Sequence, residues 1–233
     1  TDPRDKEIGS WLRDRRTWAQ AEGRFLRNSL QPGMNAIDVG ANIGYFTLLC
    51  AKAVGPTGRV LAIEAEPEFV LQLRENLMLN SLQNVEVLPV AAHRQSGKMA
   101  VWRNPENFGG SFVHSLEANS PSTSIQAVRL DDVLDPDVPI HIIKVDIEGM
   151  DHAAVEGLER TIRRWRPSLL VEFHPLAIEL FGELPVDVLR FYRSLGLQIS
   201  MLGTDAVRLR DYSGLPLEDL VHHDLRVPEE MDA

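Results

Sequence analysis

The chain has 233 residues, 44% hydrophobic and 25% charged, enough for one substantial α/β domain with a real core. Its net charge of −10 lacks the basic footprint of a nucleic-acid binder, so no nucleic-acid partner is expected. No apolar run approaches a membrane span of roughly 18–20 residues, Thr1–Arg16 lacks a signal-peptide core, and the lone Cys50 excludes an internal disulfide; together these give a cytoplasmic expectation.

The chain reads as a single domain over 1–233, with an N-terminal helical segment over 1–33. Within it, Ile8–Leu30 carries apolar residues at three- and four-residue spacings, a helical pattern that ends at Gln31-Pro32-Gly33. Ala36–Val39 reads as the first strand, Gly40–Gly44 as a loop and Ile43–Val54 as the first crossover helix. Arg59–Ile63 follows as a strand, Pro67–Asn80 as a helix and Val85–Val90 as a third strand. This alternation predicts a parallel sheet with helices on both faces. The basic clusters at 13–16 and 160–166 read as solvated helix faces.

From Gly97 to Leu130 the helical rhythm stops. Met99–Trp102, Ser111–Ser115 and Ile125–Arg129 read as short strands of a β insertion over the sheet edge. Asn104–Gly110 and Glu117–Ser124 are candidates for a substrate-side cover. His141–Val145 is the fourth strand, Met150–Arg164 a helix, Ser168–Phe173 the fifth strand and Val186–Leu195 a helix. Leu197–Leu202 and Ala206–Leu209 read as a closing antiparallel hairpin, and the tail from Pro228 as a frayed end.

Three constellations carry chemistry. In the first, Gly40 and Gly44 flank Ala-Asn42-Ile, letting backbone approach a ligand where the strand turns into the helix. Asp38 precedes this loop, and Glu64 closes the second strand, where a carboxylate can take ribose hydroxyls. Asn42 stands where a dinucleotide fingerprint has its central glycine, and no Gly-Lys-Ser/Thr follows. A ligand with a ribose, an aminoacyl zwitterion and no phosphate fits better, with Asp38 facing its ammonium directly or through water. S-adenosylmethionine is such a ligand.

In the second constellation, alternation along an extended strand puts Lys144, Asp146 and Glu148 on one side, at the carboxyl end of the fourth strand. The third is Glu172 and His174 at the end of the fifth strand, with His174 suited to act as a general base. Asp146, Glu172 and His174 offer donors that a divalent cation could share, but their spacing is not specific for metal, and no metal is expected.

The chain resembles the FkbM family of S-adenosylmethionine-dependent methyltransferases. The resemblance rests on Ile37–Thr47, Ile63–Pro67, Val90–Ala92 before Gly97, Arg129–Leu134, Ile143–Gly149 and Glu172–His174. It implies a Rossmann-like class I methyltransferase fold, with a seven-stranded, mostly parallel sheet and an antiparallel last strand. It implies cofactor roles for Asp38, Gly40, Asn42, Gly44 and Glu64, and catalytic or substrate-orienting roles for Lys144, Asp146 and Glu148. Where the family often has glutamate soon after the glycine, this chain has Asp151.

The expected reaction is O-methylation of a hydroxyl on a sugar, glycolipid or natural product of the polyketide or macrolide type. Asp146 or His174 is the expected base, Glu172 orients it or binds substrate, and Lys144 holds the carboxylates. The alternatives are N-methylation of a small-molecule amine and an inactive cofactor-binding module. The oligomeric state stays open, a homodimer included.

Overall fold

In the computed structural model the described residues are 14, 19–102, 112–115, 123–202 and 209–211. The first described helix is α1 (Gln20–Ser29), followed by β1 (Asn35–Val39), α2 (Tyr45–Val54), β2 (Arg59–Ile63), α3 (Pro67–Leu79) and β3 (Val85–Leu88). Next come β4 (Ala91–Ala92), β5 (Gly97–Trp102), β6 (Phe112–Ser115) and β7 (Thr123–Val128). After a short 3-10 turn the chain runs through β8 (Ile142–Val145), α4 (Asp151–Glu156), α5 (Glu159–Trp165) and β9 (Ser168–Val171). It continues through α6 (Pro175–Leu180), α7 (Pro185–Ser194), β10 (Ser200–Leu202) and β11 (Leu209–Asp211).

The main sheet has the order β3-β2-β1-β8-β9, and every neighbouring pair is parallel. Covered on both faces, its central strands are apolar and buried: Ile37, Val39, Ile143 and Val145 are at most 1% exposed. Asp38 and Lys144 are the charged exceptions, and the register sets them directly opposite each other. The order changes direction between β1 and β8, so the crevice above their carboxyl ends is a topological switch point.

The fold is the expected Rossmann-like α/β arrangement, but among the described residues the main sheet has five strands, not seven. The closing pair β10–β11 is antiparallel, but its second strand is Leu209–Asp211 where Ala206–Leu209 was expected, residues 206–208 lying outside the described ones, and the pair forms its own two-stranded sheet. The insertion is more ordered than a hairpin: β4, β7, β5 and β6 form a four-stranded sheet. Its apolar face, with Met99, Val101 and Ile125, packs on Ala65 and Met150 at the mouth of the crevice. Asn104–Gly110, most of Glu117–Ser124, the tail from Pro228 and most of the helix before Gln20 lie outside the described residues.

The expected helix over Met150–Arg164 is two helices, α4 and α5. They part at Gly157, where a Cβ would lie 2.5 Å from the His93 carbonyl oxygen; the strand leading into the insertion presses on the helix backbone. Beside this contact, Arg94 pairs with Glu156 of α4 and with Glu183 between α6 and α7. The arginines of α5 pair with Glu159, Asp132 and Asp137, as a solvated helix face should. Cys50 is buried, as expected of a structural thiol. No helix among the described residues is long and apolar enough to cross a membrane.

Candidate functional site

A cleft lies over the carboxyl ends of β1, β2 and β8. It is lined by Gly40 and Asn42 from the first loop, Glu64 and Glu66 after β2, and Asp146 and Glu148 after β8. Phe69, Val90–His93, Val101, Ile147 and Met150 complete it.

The first loop turns sharply because three of its residues adopt left-handed backbone, Gly40 at φ 78, Asn42 at φ 49 and Gly44 at φ 95. A Cβ on residue 40 would stand 1.9 Å from the Asp146 carbonyl oxygen, so glycine lets the two loops touch. Asn42 closes on itself, its side-chain oxygen accepting from Ile43 N–H at 2.7 Å. Gly44, at φ 95, packs against Leu73 and opens α2 without lining the cleft.

Glu64 is buried, and its two carboxylate oxygens accept from the N–H groups of Asn42 at 2.7 Å and Glu66 at 2.8 Å. Burial pushes its pKa up to about 7, against the pull of those backbone bonds. The carboxylate is therefore fixed in place, with further lone pairs left for donors in the cleft.

Asp38 does not line the cleft. It lies beneath it, 1% exposed, accepting from the Thr47 hydroxyl at 2.6 Å and standing 3.7 Å from Lys144 Nζ. The cation it faces is the chain's own. Burial raises its pKa, and Lys144 and Thr47 oppose the rise. Lys144 is itself 3% exposed and lies over the Phe46 ring at 4.8 Å. Burial pulls its pKa down, but Asp146 and Asp38 outweigh that, so it stays charged.

Lys144 also reaches Asp146 at 3.0 Å. Asp146, Glu148 and Glu172 each offer a carboxylate oxygen within 4.8 Å of the others. Strand alternation is not what brings Glu148 there. β8 ends at Val145, and a turn carries Glu148 at φ 56 and Gly149 at φ 95. The trio of donors suited to a cation is thus Asp146, Glu148 and Glu172, not the set with His174. His174 stands aside as the N-cap of α6, its Nδ1 accepting from Ala177 N–H at 3.1 Å. The Nδ1 lone pair is thereby engaged by the helix backbone.

Sequence reasoning missed the partner role of Thr47 and the apolar wall, and it noted Asp151 without the loop contacts it makes. Thr47 follows Asp38 by nine residues, and nothing in that spacing announces the hydrogen bond. Asp151, 5% exposed, accepts from Ile147 N–H and Gly149 N–H, each at 3.0 Å.

Residues 38–199 match the model of the methyltransferase FkbM domain, more than half of the chain. Protein-L-isoaspartate O-methyltransferase of Triticum aestivum is 50% identical over 53 residues, 23% of this chain and 23% of that protein. Arsenite methyltransferase of Halobacterium salinarum is 36% identical over 58 residues, 25% of this chain and 15% of that protein. The chain thus spans about a quarter or less of these curated relatives. The solved FkbM methyltransferase of Methylobacillus flagellatus aligns with TM-score 0.50 and 17% identity, over 76% of this chain and 44% of that one. The buried, backbone-held carboxylate of Glu64, in a cleft that Gly40 also lines, fits S-adenosylmethionine as the cofactor. With its glycine loop, acidic second-strand end and Lys-Val-Asp-Ile-Glu-Gly turn assembled around one cleft, the chain belongs to the FkbM methyltransferase family.

Proposed function

We propose that this chain methylates a hydroxyl oxygen on a sugar, glycolipid or natural product. The observation that carries the reading is the convergence of Asp146, Glu148 and Glu172 at the strand ends beside the cofactor cleft. When bound, S-adenosylmethionine supplies a methyl on a positively charged sulfur, and transfer leaves neutral S-adenosylhomocysteine. The chain's own work is then to align an acceptor oxygen and receive its proton.

In this reading Asp146 receives that proton. Its side chain is 42% exposed toward the cleft, while Lys144 fixes it from the interior side. Glu172 and Glu148 accept hydrogen bonds from neighbouring hydroxyls and repel anionic acceptors, which favours a neutral polyol. His174 acts through α6, as a cap, rather than as the base.

A methyl-transfer screen over glycosides and macrolide-like alcohols, with product identified by mass spectrometry, tests this. The expected product is a methyl ether, lost in Asp146→Asn. Methylation of amines with no alcohol turned over would replace the reading with N-methylation. Tight cofactor binding with no acceptor of either kind would replace it with a binding module.

A further inference from the structure

The loop from Asp146 to Gly149 belongs to no regular element, yet it makes one wall of the cleft: Asp146, Ile147, Glu148 and Met150 all line it. It also touches the neighbouring first loop, because the Asp146 carbonyl occupies the space that a Cβ on residue 40 would need. Glu148 is held in left-handed backbone at φ 56, a conformation that side-chain-bearing residues keep only where their surroundings impose it.

What imposes it comes from below. The N–H groups on either side of Glu148, those of Ile147 and Gly149, both donate to the carboxylate of Asp151. Asp151 is the first residue of α4 and is 5% exposed. These two bonds run backward into the loop and not forward along the helix. Two charge-assisted bonds from one buried anion fix the backbone on both sides of Glu148.

We infer that Asp151 is a positioning residue: its carboxylate clasps the Asp146–Gly149 loop in the form that binds the cofactor and presents Asp146 and Glu148. This rests on the reading of the cleft as the S-adenosylmethionine site. Asp151 touches no reacting atom in this role.

The test uses the whole chain with S-adenosylhomocysteine as the probe. Hydrogen exchange of the 146–150 segment is followed without cofactor, and binding is measured by calorimetry. Asp151→Ala should raise exchange in that segment and weaken S-adenosylhomocysteine by about tenfold or more, since both loop donors lose their acceptor. Asp151→Asn keeps one acceptor oxygen and should fall between; it is read in the same way if the alanine variant does not fold. Val155→Ala, a buried change in the same helix, is the control for lost packing and should leave both readouts within about twofold of wild type.

Wild-type exchange and affinity in Asp151→Ala would overturn the clasp. So would a Val155→Ala protein that matches Asp151→Ala on both measurements. Failure of the wild-type chain to bind S-adenosylhomocysteine would instead overturn the cofactor reading itself.

Discussion

The ammonium of Lys144 lies 3.0 Å from the carboxylate of Asp146, the lysine side chain 4% exposed and the aspartate 42%. The pair joins a cation of the sheet interior to an anion of the cleft. Behind it, Asp38 offers a second carboxylate at 3.7 Å.

Breaking this arrangement from one side leaves buried charge without compensation. Lys144→Met should lower stability by about 3–5 kcal/mol, read from urea unfolding. Adding Asp38→Asn should recover a large part of that loss, because the stranded anion goes too. Additive losses in the double variant would show that the two groups act independently.

Glu64 gives the cofactor site a pH dependence. Its folded pKa of about 7 lies above its ordinary value of 4.5, so the free fold holds a proton there that the unfolded chain has released. Stability from this group is therefore full below 4.5 and falls as pH rises through about 7. Ribose hydroxyls donate to the ionised form, so S-adenosylhomocysteine should bind more tightly as pH rises from 6 to 8, with proton release. Calorimetry in buffers of different ionisation enthalpy measures this. Glu64→Gln should weaken binding by roughly ten- to a hundredfold and flatten the pH profile.

The two glycines of the first loop should differ in tolerance. Gly40→Ala meets a backbone carbonyl at 1.9 Å, and one loop must move. Gly44→Ala meets the end of the Leu73 side chain at 2.5 Å, which can rotate away. Both carry left-handed strain of about 1–3 kcal/mol, but Gly40→Ala alone should also abolish cofactor binding. Equal affinity in the two variants would contradict the loop contact.

Asp146→Asn should reduce turnover by roughly 10²–10⁴, with cofactor affinity within a few-fold of wild type. His174→Ala should cost about 1 kcal/mol of stability through the lost cap and leave turnover near normal. A large rate loss in His174→Ala would return the base to that ring. EDTA should leave turnover unchanged, because Lys144 already offsets part of the acidic group's charge and displacement at a sulfonium needs no Lewis acid. Restoration of a chelated enzyme by added cation would place a metal on Asp146, Glu148 and Glu172.

Much of this fold was legible from alternating apolar and helical segments, and the parallel order follows from crossovers too long for hairpins. The tight turn at Gly40 and Asn42 and the carboxylate of Glu64 beside it were legible from the glycine spacing and the acidic close of the second apolar run. The partner of Asp38 was not, since Lys144 lies 106 residues further on and only register brings the two together. Glu148 was expected near Asp146 for the wrong reason: period two presumes a strand that stops at Val145, and the turn clasped by Asp151 does the placing. Among the described residues β10 and β11 pair with each other and not with the main sheet, and local sequence does not record which ladder a hairpin joins.

The opposed placement of Asp38 and Lys144 bears on how the strands find one another. A slip of one residue would set Asp38 against Ile143 or Val145 and turn each charge toward a face built from apolar side chains. A misaligned pairing of β1 with β8 then buries Asp38 without its cation, whereas the native pairing supplies Lys144 at 3.7 Å. The opposed pair thus ties one alignment of two otherwise similar apolar strands to a buried charge that only that alignment compensates.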